Sequence, residues 1–249
     1  MFPNLKIALI QDAPGSGINS FYYQILKKSS PDIIAFPEYY FVNSGDKTPL
    51  DSINRKDEIL KQLIAWSRAF NCILISGSLV EEEDGRYYNR SYLLDKGRIV
   101  GHYDKIHLFR DEGKGKLSPG YEYKVFAIDN LKIGIIICAD VLYPYTFRNL
   151  RGLHPDLVIA PTTSPYRPGE TAQEKFARDD DIFANGASLS NAIIFKASAC
   201  GSIAGHRLQG RSLISSPGNI HWRIEPENED KSALIISVLS GNTAIPRLT

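Results

Sequence analysis

Cysteine is scarce in this 249-residue sequence, which contains only Cys72, Cys138 and Cys200. The number is odd, the three residues lie far apart and no CxxC pair occurs, so neither a disulfide framework nor a cysteine zinc site is expected. A reducing compartment, the cytoplasm, is predicted instead. The histidines show no ligand spacing, and we expect neither a metal nor a cofactor.

Surplus charge and long apolar runs are also missing. Lys and Arg number 29 against 28 Asp and Glu, which leaves no electrostatic footprint for nucleic acid or for an anionic membrane. No apolar run approaches the roughly 18 residues of a membrane-spanning helix. The N-terminal MFPNLKIALIQ lacks a basic region followed by an apolar core and is typical of a strand, not of a signal peptide. We therefore expect no nucleic-acid or membrane partner.

No linker, internal repeat or low-complexity segment divides the chain, so a single domain over residues 1–249 is predicted. Fully apolar strands, hairpins and amphipathic helices indicate the α/β class, with mixed sheets covered by helices. Residues 172–189 are predicted to be helical, with the acidic run Asp179–Asp181 facing solvent. Residues 240–249 are predicted to form a tail.

The most informative stretch is KIGIIICADVLYP, residues 132–144. Three consecutive isoleucines precede Cys138, as in a strand buried on both faces, and a helix-compatible stretch follows Asp140. A cysteine at such a junction lies near the free backbone N–H groups of the next turn, which suits a nucleophile. A buried structural thiol is the alternative, because free cysteine is among the most buried residue types.

Three charged residues occupy comparable positions. Glu38 follows an apolar strand in AFPEYYF, Lys105 follows a hairpin strand in HYDKIHLF, and Glu112 lies in the glycine-rich loop after it. Each alone is typical of a solvated surface charge. Strand ends converge at one edge of a sheet, however, and a carboxylate, a cation and a thiol together are what nucleophilic acyl transfer requires. The carboxylate would accept the thiol proton, and the lysine would stabilise the thiolate and the oxyanion of the tetrahedral intermediate.

AFPEYY, YDKIHLF and IGIIICADVLYP resemble, in the same order, the three signature segments of the nitrilase superfamily, the carbon–nitrogen hydrolases. KIALIQ is similar to the first strand of that family, LSPG to the segment before its nucleophile strand, and GRSLISSPGNI to its late G-x-S-x-I-x-x-P-x-G segment. The resemblance extends over about 95% of the chain, and three ordered motifs are far more specific than any one of them.

The resemblance implies a four-layer αββα sandwich of two mixed β-sheets flanked by helices, and pairing of subunits into a homodimer or a higher homo-oligomer. It implies that Cys138 is the nucleophile, Glu38 the general base and Lys105 the cation that stabilises the oxyanion. Family members carry a second glutamate that positions substrate and lysine. Glu112 matches it best, although Asp111 competes.

The same resemblance points to residues around the substrate. The backbone N–H of Ala139 would complete the oxyanion hole, and Tyr39 and Tyr143 are candidate walls of the pocket. The implied substrate is a small linear amide or an N-carbamoyl compound, with a nitrile less expected. Its acyl group would be held on the cysteine as a thioester and released to water.

This sequence departs from the family pattern after the cysteine. Ala139 stands where the family usually has an aromatic residue, and Tyr145 stands where a glutamate usually follows the proline. The departures leave two alternatives open: a catalytically silent protein that binds a metabolite or partner, and an enzyme that transfers its acyl group to a small amine. Apolipoprotein-type transfer and NAD-synthetase-type coupling are not expected, since membrane segments and a second domain are missing.

Overall fold

A computed structural model describes residues 4–110, 112–240 and 243–248. Its strands are β1 (Leu5–Gln11), β2 (Ile33–Ala35), β3 (Ile73–Ile75), β4 (Leu79–Glu83), β5 (Arg86–Asp95), β6 (Arg98–Asp104), β7 (Val125–Ile128), β8 (Leu131–Ile135), β9 (Leu157–Thr162), β10 (Ile193–Ser198), β11 (Ser202–Ile203), β12 (His206–Arg207), β13 (Leu213–Ser216), β14 (Asn219–Arg223), β15 (Ala233–Ser240) and β16 (Thr243–Leu248). Its α-helices are α1 (Ser20–Ser29), α2 (Lys56–Phe70), α3 (Pro144–Leu153), α4 (Ala172–Asp179) and α5 (Asn185–Ser190). A π-helical turn, Asp180–Ala184, joins α4 to α5.

The strands form two large sheets and one small ribbon. The first sheet has the order β16-β15-β1-β2-β3-β5-β4, with β6 also paired to β5, and the second has the order β14-β13-β10-β9-β8-β7. In each sheet the central strands are parallel: β1, β2 and β3 in the first, and β8, β9 and β10 in the second. The remaining pairings within the two large sheets are antiparallel, as expected of a mixed sheet.

Apolar side chains from both sheets meet in a central layer that includes Ile7 and Leu9 of β1 and Ile133 and Ile135 of β8. Helices α1 and α2 bury one face against the first sheet, and α3 and α5 cover the second sheet. Strand residues alternate between the two faces, so each sheet carries one apolar layer inward and one outward. The predicted four-layer αββα sandwich is therefore confirmed.

Two local predictions are wrong. Residues 243–248 are not a tail, because β16 pairs antiparallel with β15. Asp179 does not face solvent: its side chain is 3% exposed and accepts a hydrogen bond from Arg211, whereas Asp180 is largely exposed. Consecutive helical residues are rotated by about 100° from one another, so three neighbouring acids cannot share one exposed face.

Among the described residues, no helix combines the length and the apolar character that crossing a membrane requires.

Candidate active site

Cys138 lies where the buried strand β8 gives way to a short 3-10 helix, Cys138–Leu142. Its backbone takes the left-handed conformation, with φ of +43°, which costs a non-glycine residue about 1–2 kcal/mol. The fully buried Asp140 carboxylate holds this turn, because its Oδ2 accepts from the Ile137 N–H at 2.9 Å and from the Tyr103 hydroxyl at 2.8 Å. The turn thereby directs the thiol out of the end of the sheet.

Glu38 is buried three residues beyond β2 and is bound by four donors. Its Oε1 accepts from Lys105 Nζ at 2.8 Å and from Asn89 Nδ2 at 2.9 Å. Its Oε2 accepts from the Thr163 N–H at 3.0 Å and from the Thr163 hydroxyl. The Cys138 thiol donates to the Thr163 carbonyl oxygen at 3.6 Å. Thr163 therefore connects the Glu38 carboxylate to the Cys138 thiol.

Lys105 and Glu112 complete the polar core of the site. Lys105, 1% exposed, donates from Nζ to Glu112 Oε2 at 2.7 Å as well as to Glu38. Glu112 Oε1 accepts from the Tyr39 hydroxyl at 2.6 Å and from Asn89 Nδ2 at 2.7 Å. An ammonium group has three N–H donors, so two carboxylates leave one N–H of Lys105 for a ligand.

The charges of this site determine the state of the thiol. Burial lifts the pKa of Cys138, and the neighbouring Glu38 carboxylate lifts it further, while Lys105 acts in the opposite direction. Two carboxylates against one ammonium leave the site negative, and a thiolate would add a second negative charge. These charges favour a protonated Cys138 thiol beside the Glu38 carboxylate in the resting form.

Lys105 and Glu112 remain ionised together. Burial disfavours the ammonium of Lys105, but the Glu38 and Glu112 carboxylates outweigh it and raise its pKa above the ordinary value. Burial likewise opposes ionisation of Glu112, and the Lys105 charge with its hydrogen bonds overcomes this and lowers the pKa of Glu112. The pair keeps its charges across the physiological range.

A second chain of hydrogen bonds runs behind Cys138. Asp140 Oδ1 accepts from the His107 N–H at 2.8 Å and lies 2.7 Å from His107 Nδ1. This places the imidazole proton on Nδ1, so Nε2 accepts from the Tyr145 hydroxyl. The ring of Tyr143 stacks on His107 with centroids 4.0 Å apart.

The structure brings together Glu38, Lys105, Glu112 and Cys138, the four residues predicted as catalytic. Tyr39 joins them through Glu112. Ala139 is buried in the first turn after Cys138, where N–H groups have no partner within the helix. Tyr143 instead lies against His107 and is 38% exposed. Asp111 lies outside the described residues.

Asn89 and Thr163 were not predicted. Asn89 is fully buried in β5 and bridges the two glutamates, and Thr163 directly follows β9. A single asparagine or threonine inside a strand pattern has no signal of its own. Only the position of Thr163 directly after an apolar strand could have suggested it, since Glu38 and Cys138 also lie within three residues of a strand end.

One group could in principle offer metal ligands. Within the described ranges, Glu83, His102 and Asp104 place ligand atoms within 4.8 Å of one another. The guanidinium of Arg90 already pairs with both carboxylates, with Nε 2.6 Å from Asp104 Oδ1. The group shares no residue with the site around Cys138, and Arg90 already occupies both of its carboxylates.

The carbon–nitrogen hydrolase family model matches residues 18–193, more than half of the chain and all four clustered residues. The chain belongs to the carbon–nitrogen hydrolase family. The four clustered residues therefore lie within the region that the family model matches, as the order of the three motifs predicts.

Several curated relatives of this carbon–nitrogen hydrolase are enzymes. The chain is 28% identical over 178 residues to a glutamine-dependent NAD(+) synthetase of Acinetobacter baylyi, covering 67% of this chain and 33% of the relative. It is 25% identical over 249 residues to the "hydrolase in pqqF 5'region" of Pseudomonas protegens, and the match covers 94% of this chain and 82% of that relative. It is 28% identical over 158 residues to an (R)-stereoselective amidase of a Pseudomonas species, and the match covers 61% of this chain and 57% of that amidase. The chain thus spans about a third of the synthetase and just over half of that amidase.

Solved structures share the fold. An amidase from Nesterenkonia sp. superimposes with a TM-score of 0.77 at 18% identity, covering 95% of this chain and 90% of that one. A variant of the same amidase in complex with butyramide gives a TM-score of 0.77 at 18% identity, and the superposition covers 96% of this chain and 92% of that one. The two-sheet sandwich is therefore the fold of nitrilase-superfamily amidases.

Replacing Asp140 by asparagine should destabilise the turn at Cys138. The amide can accept on only one side and would direct an N–H₂ group at the Ile137 N–H or the His107 N–H, which leaves a buried donor unpaired. We expect a loss of about 1–3 kcal/mol in the free energy of unfolding, together with a lower kcat. Denaturant unfolding and steady-state kinetics measure the two effects. A variant as stable as wild type would contradict this role of Asp140.

Glu112 should make stability depend on pH. Its folded-state pKa lies below the ordinary 4.5, so the ionised carboxylate stabilises the fold above about pH 4.5 and loses that contribution as the pH falls through the folded value. The melting temperature of wild type should therefore exceed that of Glu112→Gln near about pH 7, and the difference should shrink towards about pH 3. A difference that stays constant with pH would contradict this.

Proposed function

We propose that this chain is an amidase that hydrolyses a small linear amide or an N-carbamoyl compound through an acyl-enzyme on Cys138. The observation that carries the proposal is the contact set of Glu38, which binds Lys105 and Thr163 while the Cys138 thiol lies beside it. A protonated thiol, a buried carboxylate base and a spare ammonium N–H supply the three functions that attack on an amide carbonyl requires.

Acylation begins when Glu38 takes the thiol proton and the sulfur attacks the carbonyl carbon. Of the four donors on Glu38, the Thr163 hydroxyl can rotate away and free a lone pair for that proton. The carbonyl electrons move to oxygen, where the free N–H of Lys105 and the N–H of Ala139 stabilise the oxyanion. The C–N bond then breaks, and Glu38 passes the proton to the leaving amine.

Deacylation repeats these steps with water. Glu38 removes a proton from water as it attacks the thioester, and the thiolate leaves and recovers that proton from Glu38. For a primary amide, one molecule of amide and one molecule of water give one carboxylic acid and one ammonia. Glu112 and Asn89 act as positioning residues, because they hold Lys105 and Glu38 rather than the reacting atoms.

The experiment is an ammonia-release screen across ω-amides, N-carbamoyl amino acids and short aliphatic amides. Turnover of at least one class, lost in Cys138→Ala, is the expected result. Mass spectrometry with iodoacetamide adds a direct readout: we expect labelling at Cys138 before the buried Cys72 and Cys200. No turnover together with equal labelling of all three thiols would favour a silent binding protein. Ammonia release only when hydroxylamine is added would favour acyl transfer to an amine.

We further propose that residues 1–249 act as one catalytic domain, in the cytoplasm, and as a homodimer. Large apolar side chains are exposed just after the nucleophile, at Leu142 (48%), Tyr143 (38%) and Tyr145 (45%), and a second copy would cover them. Sedimentation of wild type and of Leu142→Glu tests the dimer. A monomeric wild type would contradict it.

A further inference from the structure

A small hairpin lies beside the active site. Its strands β11 and β12 pair antiparallel and form a two-stranded ribbon of their own. Ala204 and Gly205 make the turn with φ of +47° and +79°, and positive φ at both central residues is the pattern of a type I′ turn. The Leu208 N–H closes the base of the hairpin on the Gly201 carbonyl oxygen at 2.8 Å. The hairpin is therefore a defined element, and the elements beside it fix its position.

One side of this hairpin contacts the chain that follows β9 of the second sheet. The Gln209 N–H donates to the Ser164 carbonyl oxygen at 2.9 Å. The Tyr166 N–H donates to the Arg207 carbonyl oxygen at 2.9 Å, and the Arg207 guanidinium lies over the Tyr166 ring, 4.0 Å from its centroid. Ser164 directly follows Thr163, which contacts the carboxylate base and the nucleophilic thiol of the proposed mechanism. The hairpin is thus held within one residue of Thr163.

The other side of the hairpin contacts the first sheet. The Cys200 N–H, at the start of the hairpin, donates to the carbonyl oxygen of Asp12 at 3.2 Å, just past β1. A Cβ on Gly201 would lie 2.9 Å from the Ala13 Cβ, so a side chain at Gly201 would push the hairpin away from this sheet. The hairpin therefore spans the gap between the ends of the two sheets.

Ile203 of β11 packs against an apolar cluster that borders the active site. The cluster consists of Tyr39, Val42, Val80 and Leu117. The Tyr39 hydroxyl donates to Glu112 at 2.6 Å. Burial and the neighbouring Glu112 carboxylate raise the pKa of Tyr39, and the charge of Cys138 contributes to the same rise, so this ring lies near the thiol. Ile203 itself is only half-buried, which leaves part of an apolar side chain uncovered next to the site.

The acyl chain of a bound amide has one direction left to it. In the proposed mechanism the carbonyl oxygen turns to Lys105 and the leaving nitrogen to Glu38, and both of these side chains are 1% exposed. The acyl chain is the third substituent of the carbonyl carbon. It has to extend towards the side where Cys138 and Thr163 are half-exposed. That side is the gap between the sheet ends that the hairpin spans.

We propose that Ile203 closes the acyl side of the site and sets the longest acyl chain that the enzyme accepts. This role rests on the proposed amidase function and makes Ile203 a specificity-determining residue of that same site. An apolar wall excludes a longer chain by steric overlap, and a smaller side chain in its place leaves room for more methylene groups. Isoleucine has three carbons more than alanine, so Ile203→Ala should admit an acyl chain about three carbons longer.

The test compares hexanamide with propionamide, two primary amides that differ by three methylene groups. Ile203→Ala should raise the hexanamide-to-propionamide ratio of kcat/KM by about 10–100-fold. Ile203→Trp should have the opposite effect and lower the butyramide-to-acetamide ratio by about 10-fold. Ile53→Ala is the matched control, because Ile53 is also half-buried and packs against the same apolar cluster from the 3-10 helix Pro49–Arg55. This variant should keep both ratios.

Aldehydes probe the same space without turnover. The Cys138 thiol adds to the aldehyde carbon, its proton passes to the aldehyde oxygen, and the alkyl chain stays on the acyl side. Relative to propanal, hexanal should protect Cys138 from iodoacetamide at about 10-fold lower concentration in Ile203→Ala than in wild type. Intact mass measures the fraction of protein that is alkylated.

The outcomes separate Ile203 from the amidase function. A higher ratio in Ile203→Ala together with a lower ratio in Ile203→Trp supports the proposal. Ratios equal to wild type in both variants would overturn it while leaving the amidase intact. A uniform loss on all four amides in both variants, with a lower melting temperature, would show that Ile203 only holds the hairpin and would also overturn it. A wild type that turns over no amide, yet shows the expected shift in aldehyde protection, would reject the amidase function and keep the role of Ile203.

Discussion

Replacing Cys138 by alanine is expected to abolish amide hydrolysis, with kcat lower by a factor of about 10⁴ or more. The Cys138 thiol lies at the end of the second sheet beside the buried Glu38 carboxylate. Without it, water would have to attack the amide directly, with no thioester to divide the barrier into two smaller steps. Ammonia release measures the activity, and intact mass after exposure to a haloacetamide measures the covalent adduct.

Cys200→Ala is the matched control for this variant. Cys200 is a buried free thiol whose pKa burial raises to about 11, and it contacts neither Glu38 nor Lys105. It should retain turnover and still form one adduct. Turnover in Cys138→Ala above a tenth of wild type, or an adduct of equal yield in that variant, would reject the acyl-enzyme mechanism.

Glu38→Gln is expected to reduce kcat by about 10²–10⁴-fold, or about 3–5 kcal/mol of transition-state stabilisation. Glutamine has nearly the same shape, and its amide oxygen can still accept from Lys105, but its N–H₂ group then faces the Thr163 N–H and it cannot take the thiol proton. Because the raised pKa of Cys138 keeps the resting thiol protonated, little thiolate forms without this base. Removing the Glu38 charge should also lower that pKa, so the pH dependence of alkylation should shift towards lower pH.

Glu81→Gln provides the comparison for a buried glutamate outside the site. Glu81 is 5% exposed and pairs with Lys56 at 2.7 Å, much as Glu38 pairs with Lys105. Glu81→Gln loses one ion pair, so this variant should be less stable than wild type but should keep the wild-type kcat. Equal losses of kcat in the two variants would mean that Glu38 supports the fold and is not a base. An alkylation profile that does not shift in Glu38→Gln would contradict the electrostatic account of Cys138.

Much of the site was predictable because its main residues are marked locally. Glu38 and Cys138 each follow an apolar strand, and parallel strands end at the same edge of a sheet. Lys105 and Glu112 were recognised by their order within family segments. Neither signal depends on knowing which strands become neighbours.

The rest depended on pairing between distant segments. Asn89 reaches Glu38 only because β5 pairs with β3, and Thr163 reaches it only because the two sheets stack. The acidic run from Asp179 was misjudged for a similar reason: Arg211, more than thirty residues further on, draws Asp179 into the interior. Sequence proximity of like charges says nothing about a cation that packs against them from another element.

The sequence by itself indicated the family through three ordered motifs that include Glu38, Lys105 and Cys138, and that resemblance implied the four-layer sandwich. Short motifs of this kind are local, so they can be read without knowing the tertiary structure. The tertiary structure alone decided the protonation of the Cys138 thiol and the burial of Asp179 beside Arg211. Both follow from the sum of charges and the loss of water within a few ångströms, and that sum is set by strand register and sheet packing. An aspartate that a distant arginine draws into the interior looks, in the sequence, like any other aspartate in an acidic run.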